Sequence, residues 1–256
     1  MGKYPDKKFG QNFLTDDSII TKICDIADLK ESDEVVEIGP GIGAITRELA
    51  KRAKRVIAIE LDRDLAEYLR KNVPKNVTVV TGDALDVDWT VEIESGYKIV
   101  ANIPFSITSP LMRKIINLEK RPNMVVLLTQ KEVAERLSAL PDSSERGMLT
   151  VLVEAVFNAR KTLTIKPGSF YPPPEVDSAV LVLEPKEKDL RETIYWPIVE
   201  AGFRQKRQML INSISKNMPI PKTKVTDALK KLGLDEGIRA EDLSLENWQK
   251  LSDLIK

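Results

Sequence analysis

The stretch Val35-Val36-Glu37-Ile38-Gly39-Pro40-Gly41-Ile42-Gly43 constrains this chain more than any other. An apolar run ends in a loop with three glycines, and a helix-like segment, 44–53, follows at once. Glycine lacks Cβ, so it takes positive φ and lets the backbone lie flat against a ligand. Strand, glycine loop and helix in that order form a cradle for a nucleotide-type cofactor. Plain strand-to-helix turns use the same pattern, so its meaning rests on what surrounds it.

What surrounds it is a regular alternation. Apolar runs at 34–38, 56–60, 77–80, 98–101 and 124–129 predict strands, with helical patterns at 62–72, 110–118 and 131–139. Two further strands are predicted at 161–165 and 179–183. Such alternation means an α/β fold, a Rossmann-like, seven-stranded and mostly parallel sheet wound on both faces. Ahead of it, Asp16 or Asp17 caps a helix running to about Asp28, with Ile19, Ile20, Ile23, Cys24 and Ile26 as its apolar stripe. The basic and aromatic arm 1–15 is expected to dock on the domain. Past Pro185 the strand pattern stops, and helices are predicted at 190–203, 205–216, 222–233 and 245–255. The boundary is placed near 185–190. This gives a first, α/β domain over 1–187 and a small all-helical domain over 188–256.

Composition narrows the chemistry. The 256 residues include one cysteine and no histidine. That removes Ser-His-Asp and Cys-His catalysis, histidine and cysteine metal sites, and disulfides. No metal is expected. Residues 1–13 lack the apolar core of a signal peptide. No apolar run approaches the ~18 residues of a membrane span, so the expected setting is the cytoplasm. Formal net charge is zero, yet residues 201–224 carry six basic side chains and no acid. A local basic patch of this kind is a candidate phosphate-binding face.

The candidate site residues all fall at the carboxyl ends of strands, where open α/β sheets bind ligands. Glu60 ends the second strand, placed to accept from ribose hydroxyls. Asp83, in Gly82-Asp83-Ala84, is placed to accept from an exocyclic amine of adenine. The loop Gly39-x-Gly41-x-Gly43 has no room set aside for a pyrophosphate, which favours S-adenosylmethionine over a dinucleotide. Asn102-Ile103-Pro104-Phe105 is the reactive candidate. The proline fixes a turn in which the Asn102 side chain and the Ile103 carbonyl accept both hydrogens of an amine, and Phe105 stacks on the base that carries it. Methyl transfer to such an amine is a direct displacement that needs orientation more than acid–base help.

These pieces, together with 9–14 (Phe-Gly-Gln-Asn-Phe-Leu), 170–179 (Phe-Tyr-Pro-Pro-Pro-Glu-Val-Asp-Ser-Ala) and 203–207 (Phe-Arg-Gln-Lys-Arg), resemble the KsgA-type ribosomal RNA small-subunit adenine N6,N6-dimethyltransferase family. They run through nearly the whole chain in the family's order. The resemblance implies cofactor contacts at Asn12, Leu14, Gly39, Glu60, Asp83 and Asn102, with Gly41 in the same loop. It implies a target adenine held by Asn102 and Phe105, with Phe170 as a second stacking ring. It also implies dimethylation of two adjacent adenines near the 3′ end of small-subunit RNA during ribosome biogenesis. Arg204, Lys206 and Arg207 then become the expected RNA contacts on a monomer acting on a pre-30S-type particle.

One departure concerns the reactive loop. The family usually has Leu and Tyr where this chain has Ile103 and Phe105. Isoleucine there is also typical of the related Erm-type enzymes, which methylate large-subunit RNA. Phenylalanine keeps the stacking face and loses only the hydroxyl. Two alternatives therefore stand beside the first reading: an Erm-type 23S adenine N6-methyltransferase, and a non-catalytic ribosome-assembly or transcription factor on the same fold.

Overall fold

The computed structural model describes residues 12–91, 93, 96–104 and 107–255. By its internal contacts the chain forms two compact units, one running to residue 134 and resuming at 159–185, the other made of 135–158 and the residues from 186 on. The C-terminal cut falls after Pro185. The surprise is 135–158, which sits with the C-terminal helices rather than with the sheet unit.

The first unit is built on a seven-stranded sheet. In chain order its elements are β1 (Phe13–Leu14), α1 (Asp17–Ile26), β2 (Glu34–Ile38), α2 (Ala44–Arg52), β3 (Arg55–Glu60), α3 (Arg63–Asn72), β4 (Val77–Thr81), β5 (Lys98–Asn102), α4 (Thr108–Ile116), β6 (Met124–Gln130), the start of α5 (Lys131–Leu137), β7 (Phe157–Ile165), β8 (Phe170–Tyr171) and β9 (Ser178–Pro185). The strand order is β4-β3-β2-β5-β6-β9-β7. From β4 to β6 the pairings are parallel, and β9 runs antiparallel to β6. The sheet matches the Rossmann-like expectation.

Strands β3 and β6 carry unbroken apolar runs because both faces of the sheet are covered. Val35, Val56, Val100, Val126, Val180 and Val182 join Ile20, Ile23 and Cys24 of α1 and Ile45 and Leu49 of α2 in one buried cluster. Side chains alternate faces along a strand. The parallel register sets Glu37 level with Ala58 and Val100. Glu37, Glu60 and Asn102 therefore share parity with that cluster, and the fold aims all three toward the same side at the strands' carboxyl ends.

Local chemistry starts the helices. Asp16 caps α1, its Oδ1 accepting from the Ser18 and Ile19 amides at 3.0 and 3.3 Å. Asp62 caps α3 in the same way, accepting from Asp64 and Leu65 at 2.8 and 3.1 Å. The end of α1 is held from within the sheet. Lys98 Nζ donates to the carbonyls of Ala27 and Asp28 at 3.0 and 2.6 Å and pairs with Asp33 at 2.9 Å. The described end of the arm, 12–15, joins a two-stranded ribbon in which Phe13 pairs with Tyr171 and Leu14 with Phe170. Its residues before Asn12 lie outside the described part.

The second unit contains α6 (Met148–Val156), α7 (Trp196–Phe203), α8 (Leu210–Asn217), α9 (Lys222–Lys231) and α10 (Leu245–Ile255). Two expected helices are shorter than predicted. Residues 190–195 form a 3₁₀ turn and an extended step, and the helix begins only at Trp196, with Pro197 in its first turn, where proline's fixed φ is tolerated. Residues 204–208 form a turn, and the Leu210 amide donates to Ile238 at 2.8 Å at the start of α8. Helix α6 was not anticipated. Its sequence, MLTVLVEAV, is apolar almost all round, so it carries no polar stripe to give a helical period. Trp248 is fully buried against Phe203, ring centroids 5.9 Å apart. A Cβ at Gly202 would lie 2.8 Å from the Trp248 ring, so glycine permits that close approach. Buried Arg146 pairs with Glu154 and donates to the Ala139 carbonyl at 3.0 Å, pinning the 139–146 loop.

The Lys98 cluster generates a stability prediction. Removing one partner of a largely buried ion pair leaves the other uncompensated. Lys98→Ala is expected to lower the urea unfolding free energy by about 3 kcal/mol. A loss under about 0.5 kcal/mol would place Lys98 among ordinary surface pairs.

Candidate active site

The glycine loop follows β2 and turns beneath its neighbours. Gly39 has φ +71°, and a Cβ there would approach the Asn102 carbonyl oxygen at 3.1 Å. Gly41 has φ +57°, and a Cβ there would meet the Phe13 ring at 2.8 Å. Both positions need the conformation and the missing side chain together. The loop is fastened by Glu60, whose Oε2 accepts from the Gly41 amide at 2.9 Å while Oε1 accepts from the Asp62 amide at 2.9 Å. One carboxylate thus links the loop to the next strand and to the start of α3. Burial pushes the Glu60 carboxyl up from its ordinary range, against these hydrogen bonds.

Asp83 follows the next strand, β4, which ends at Thr81. Its Oδ1 accepts from the Leu85 amide at 2.8 Å, and its carbonyl accepts from Asp86 and Val87 at 2.9 Å. The Gly82 amide donates to the Glu60 carbonyl at 2.9 Å, so the turns carrying the two acids are joined. Asn102 closes the row. Its Nδ2 donates to the Asn12 carbonyl at 3.2 Å. With the amide nitrogen committed to a carbonyl, Oδ1 is the end that accepts. Ile103 is buried, and its amide donates to the Leu128 carbonyl at 3.3 Å. The Pro104 carbonyl accepts from Ile107 at 3.1 Å, leading the chain into α4. Phe105 lies outside the described residues.

Structure and expectation separate most at Phe170. Its ring is only 5% exposed and belongs to the cluster around Leu14, so it offers almost no face here. The neighbouring Tyr171, 53% exposed, is the outward ring of β8. Leu14 is likewise buried. In the second unit, Arg204, Lys206 and Arg207 are all exposed on the turn after α7. Lys206 Nζ donates to the Ser144 carbonyl, and Arg204 forms a loose pair with Glu200 at 3.7 Å.

Two residues escaped the sequence reading. Glu37 is an acid within an otherwise apolar strand, and that interruption was the available signal. It is 1% exposed, and its Oε2 has no protein hydrogen-bond partner. Burial pushes its carboxyl up to about 8, and the nearby Glu60 charge adds to the shift. It lines a cavity of about 20 Å³ with Phe13, Leu14, Gly39, Ile45 and Asn102, which is room for a water or an ammonium group. Leu61, 51% exposed beside Glu60, is an apolar surface at the end of β3. Among the described residues, no group of three or more acidic or cysteine side chains is arranged to hold a metal.

A nucleoside cofactor with a cationic end fits this row. The backbone is bare at Gly39 and Gly41, acids end β3 and follow β4, and one oxygen of the buried Glu37 carboxylate lacks a donor. The model for ribosomal RNA adenine dimethylase matches residues 4–256. The chain belongs to that family. It is 40% identical to a ribosomal RNA small subunit methyltransferase A of Syntrophotalea carbinolica, over all of this chain and 98% of the relative. It is 38% identical to one from Clostridium botulinum strain Kyoto, over 98% and 94% of the two chains. A Plasmodium falciparum dimethyladenosine transferase structure is similar, with TM-score 0.80 and 29% identity over 93% of this chain and 95% of that one. The 23S rRNA methyltransferase ErmE is also similar, with TM-score 0.77 and 29% identity over 95% and 99%.

The Glu37 site makes a prediction for the cofactor-free protein. An acid whose folded pKa lies near 8, against about 4.3 unfolded, keeps its proton in the folded state after the unfolded chain has lost it. Its contribution to stability is therefore present at low pH and is lost as pH rises through that window. Stability measured from pH 5.5 to 7.5 should fall by up to about 1.4 kcal/mol per pH unit from this group. Glu37→Gln should remove that component, and an unchanged pH profile would exclude it.

Proposed function

We propose that this protein dimethylates N6 of adenines in small-subunit ribosomal RNA. Its two targets are adjacent adenines near the 3′ end, and it acts on them as a cytoplasmic monomer on a small-subunit assembly particle. The single observation that carries the reading is the Asn102 amide. The Asn12 carbonyl turns it so that its oxygen can accept, at the strand end beside the glycine loop.

The residues then divide the work. Glu37 takes the cofactor's ammonium group, exchanging its own proton for a cation. Gly39 and Gly41 let the backbone approach. Glu60 accepts from the ribose, Asp83 from the adenine amine, and Leu61 supplies an apolar face. When bound, S-adenosylmethionine would supply an electrophilic methyl to the adenine N6 lone pair, its sulfur leaving with the C–S bonding pair as the thioether of S-adenosylhomocysteine. Asn102 Oδ1 and the Ile103 carbonyl hold the amine in line, with Phe105 and a ring of the 170–171 ribbon against the base. Two acceptors orient the N6 hydrogens and do not abstract one in advance. The proton lost after transfer leaves to water, which suits a chain without histidine. The helical unit, with Arg204, Lys206 and Arg207, contributes contacts to RNA phosphates.

Small-subunit RNA is preferred to the Erm-type substrate because relatives at 38–40% identity, such as the two described above, are small-subunit enzymes by name. A purely non-catalytic assembly factor would not need a buried carboxylate with one oxygen left without a donor beside a glycine loop. Saturable cofactor uptake in a titration separates that reading from catalysis.

Two experiments test the proposal. Asn102→Ala should retain the fold by circular dichroism while methyl transfer to unmodified small subunits drops by at least about 100-fold. Undiminished transfer, or label entering only large subunits, would overturn it. Neutralising Arg204, Lys206 and Arg207 together should weaken RNA binding and reduce the slope of log K against log salt by up to about 3. An unchanged slope would return these side chains to ordinary solvated surface.

A further inference from the structure

The turn that carries Asp83 has little regular structure of its own. It is held from outside by helix α4. Lys114 Nζ donates to the Leu85 and Val87 carbonyls at 2.9 and 2.6 Å. The same ammonium lies 4.4 Å from the centroid of the Trp89 ring, and Trp89 is buried. Burial lowers the Lys114 pKa, while Asp88, Asp86 and Asp83 act against that. Two carbonyls and an aromatic face meet the half-buried ammonium, a geometry that favours a cation. The carbonyls it holds flank the segment that folds back on Asp83, whose own carboxylate accepts from the Leu85 amide.

Lys114 lies on helix α4, which starts at Thr108. Helix α4 therefore carries the cation that holds the turn beside the proposed cofactor-adenine contact. We infer that Lys114 is a positioning residue for cofactor recognition, acting through the Leu85 and Val87 carbonyls to set the Asp83 carboxylate. This rests on the proposed role of Asp83. Lys120 provides an internal contrast, because its Nζ reaches the Thr90 and Ile93 carbonyls, farther along the same loop, at 3.1 and 3.2 Å.

The test is a double-mutant cycle on the full chain, read by calorimetric binding of S-adenosylhomocysteine and by steady-state kinetics. Lys114→Gln should raise the cofactor Kd and KM about tenfold, with kcat at saturating cofactor and the KM for RNA unchanged. Lys120→Gln should leave all of these within about twofold. Asp83→Ala should weaken the cofactor on its own, and adding Lys114→Gln to it should cost nothing more. If Asp83→Ala leaves the Kd unchanged, the proposed adenine contact fails. If Asp83→Ala weakens binding but Lys114→Gln does not, or the two effects add fully, the positioning role fails. Equal loss of kcat and cofactor affinity in Lys114→Gln, with a lowered melting temperature, would mark a structural residue and also overturn it. Lys114→Arg, which keeps a cation and its donors, serves as the second variant should the glutamine protein not fold. It should bind cofactor more tightly than Lys114→Met, and equal weakening in both would count against the inference.

Discussion

The carboxylate of Glu60 holds this site together. Its two oxygens accept amide hydrogens from the glycine loop and from the start of α3, and its carbonyl receives the Gly82 amide. Three turns that would otherwise be independent loops become one surface. The cost is a carboxyl in a mostly buried place. The backbone donors meet it with geometry that water would otherwise provide.

A parity rule follows from the sheet. Because parallel register aligns Glu37, Ala58 and Val100, the polar side chains at the strand ends emerge on the side covered by α1 and α2. The same alternation that buries the valines delivers the acids and the amide. Core and site are therefore two readings of one pattern, the first along the strands and the second at their ends.

Much of this was legible in the chain itself. The alternation of runs fixed the sheet, and positions at strand ends marked Glu60, Asp83 and Asn102. Other features leave no periodic trace. The β1–β8 ribbon joins residues more than 150 apart, as the 154-residue span from Thr15 to Ser169 shows, through strands too short to carry an alternation. Helix α6 is apolar on nearly every side, so nothing in its sequence tells which unit will bury it. Glu37 was passed over because a single acid in an apolar strand does not break the strand. Only its burial and missing partner give it meaning. Phe170 was expected to present its ring, but in β8 it is Tyr171 that faces outward, and a two-residue strand gives too little pattern to say which of its rings is core.

The bond from Asn102 to the Asn12 carbonyl has one more implication. Aspartate is nearly isosteric with asparagine, yet at position 102 it would set an oxygen against a carbonyl oxygen, with no hydrogen between them unless it took up a proton. The preference for an amide there is thus imposed from behind, by the N-terminal arm, before any nucleic acid arrives. The arm serves as the reference against which the side chain's two ends are told apart.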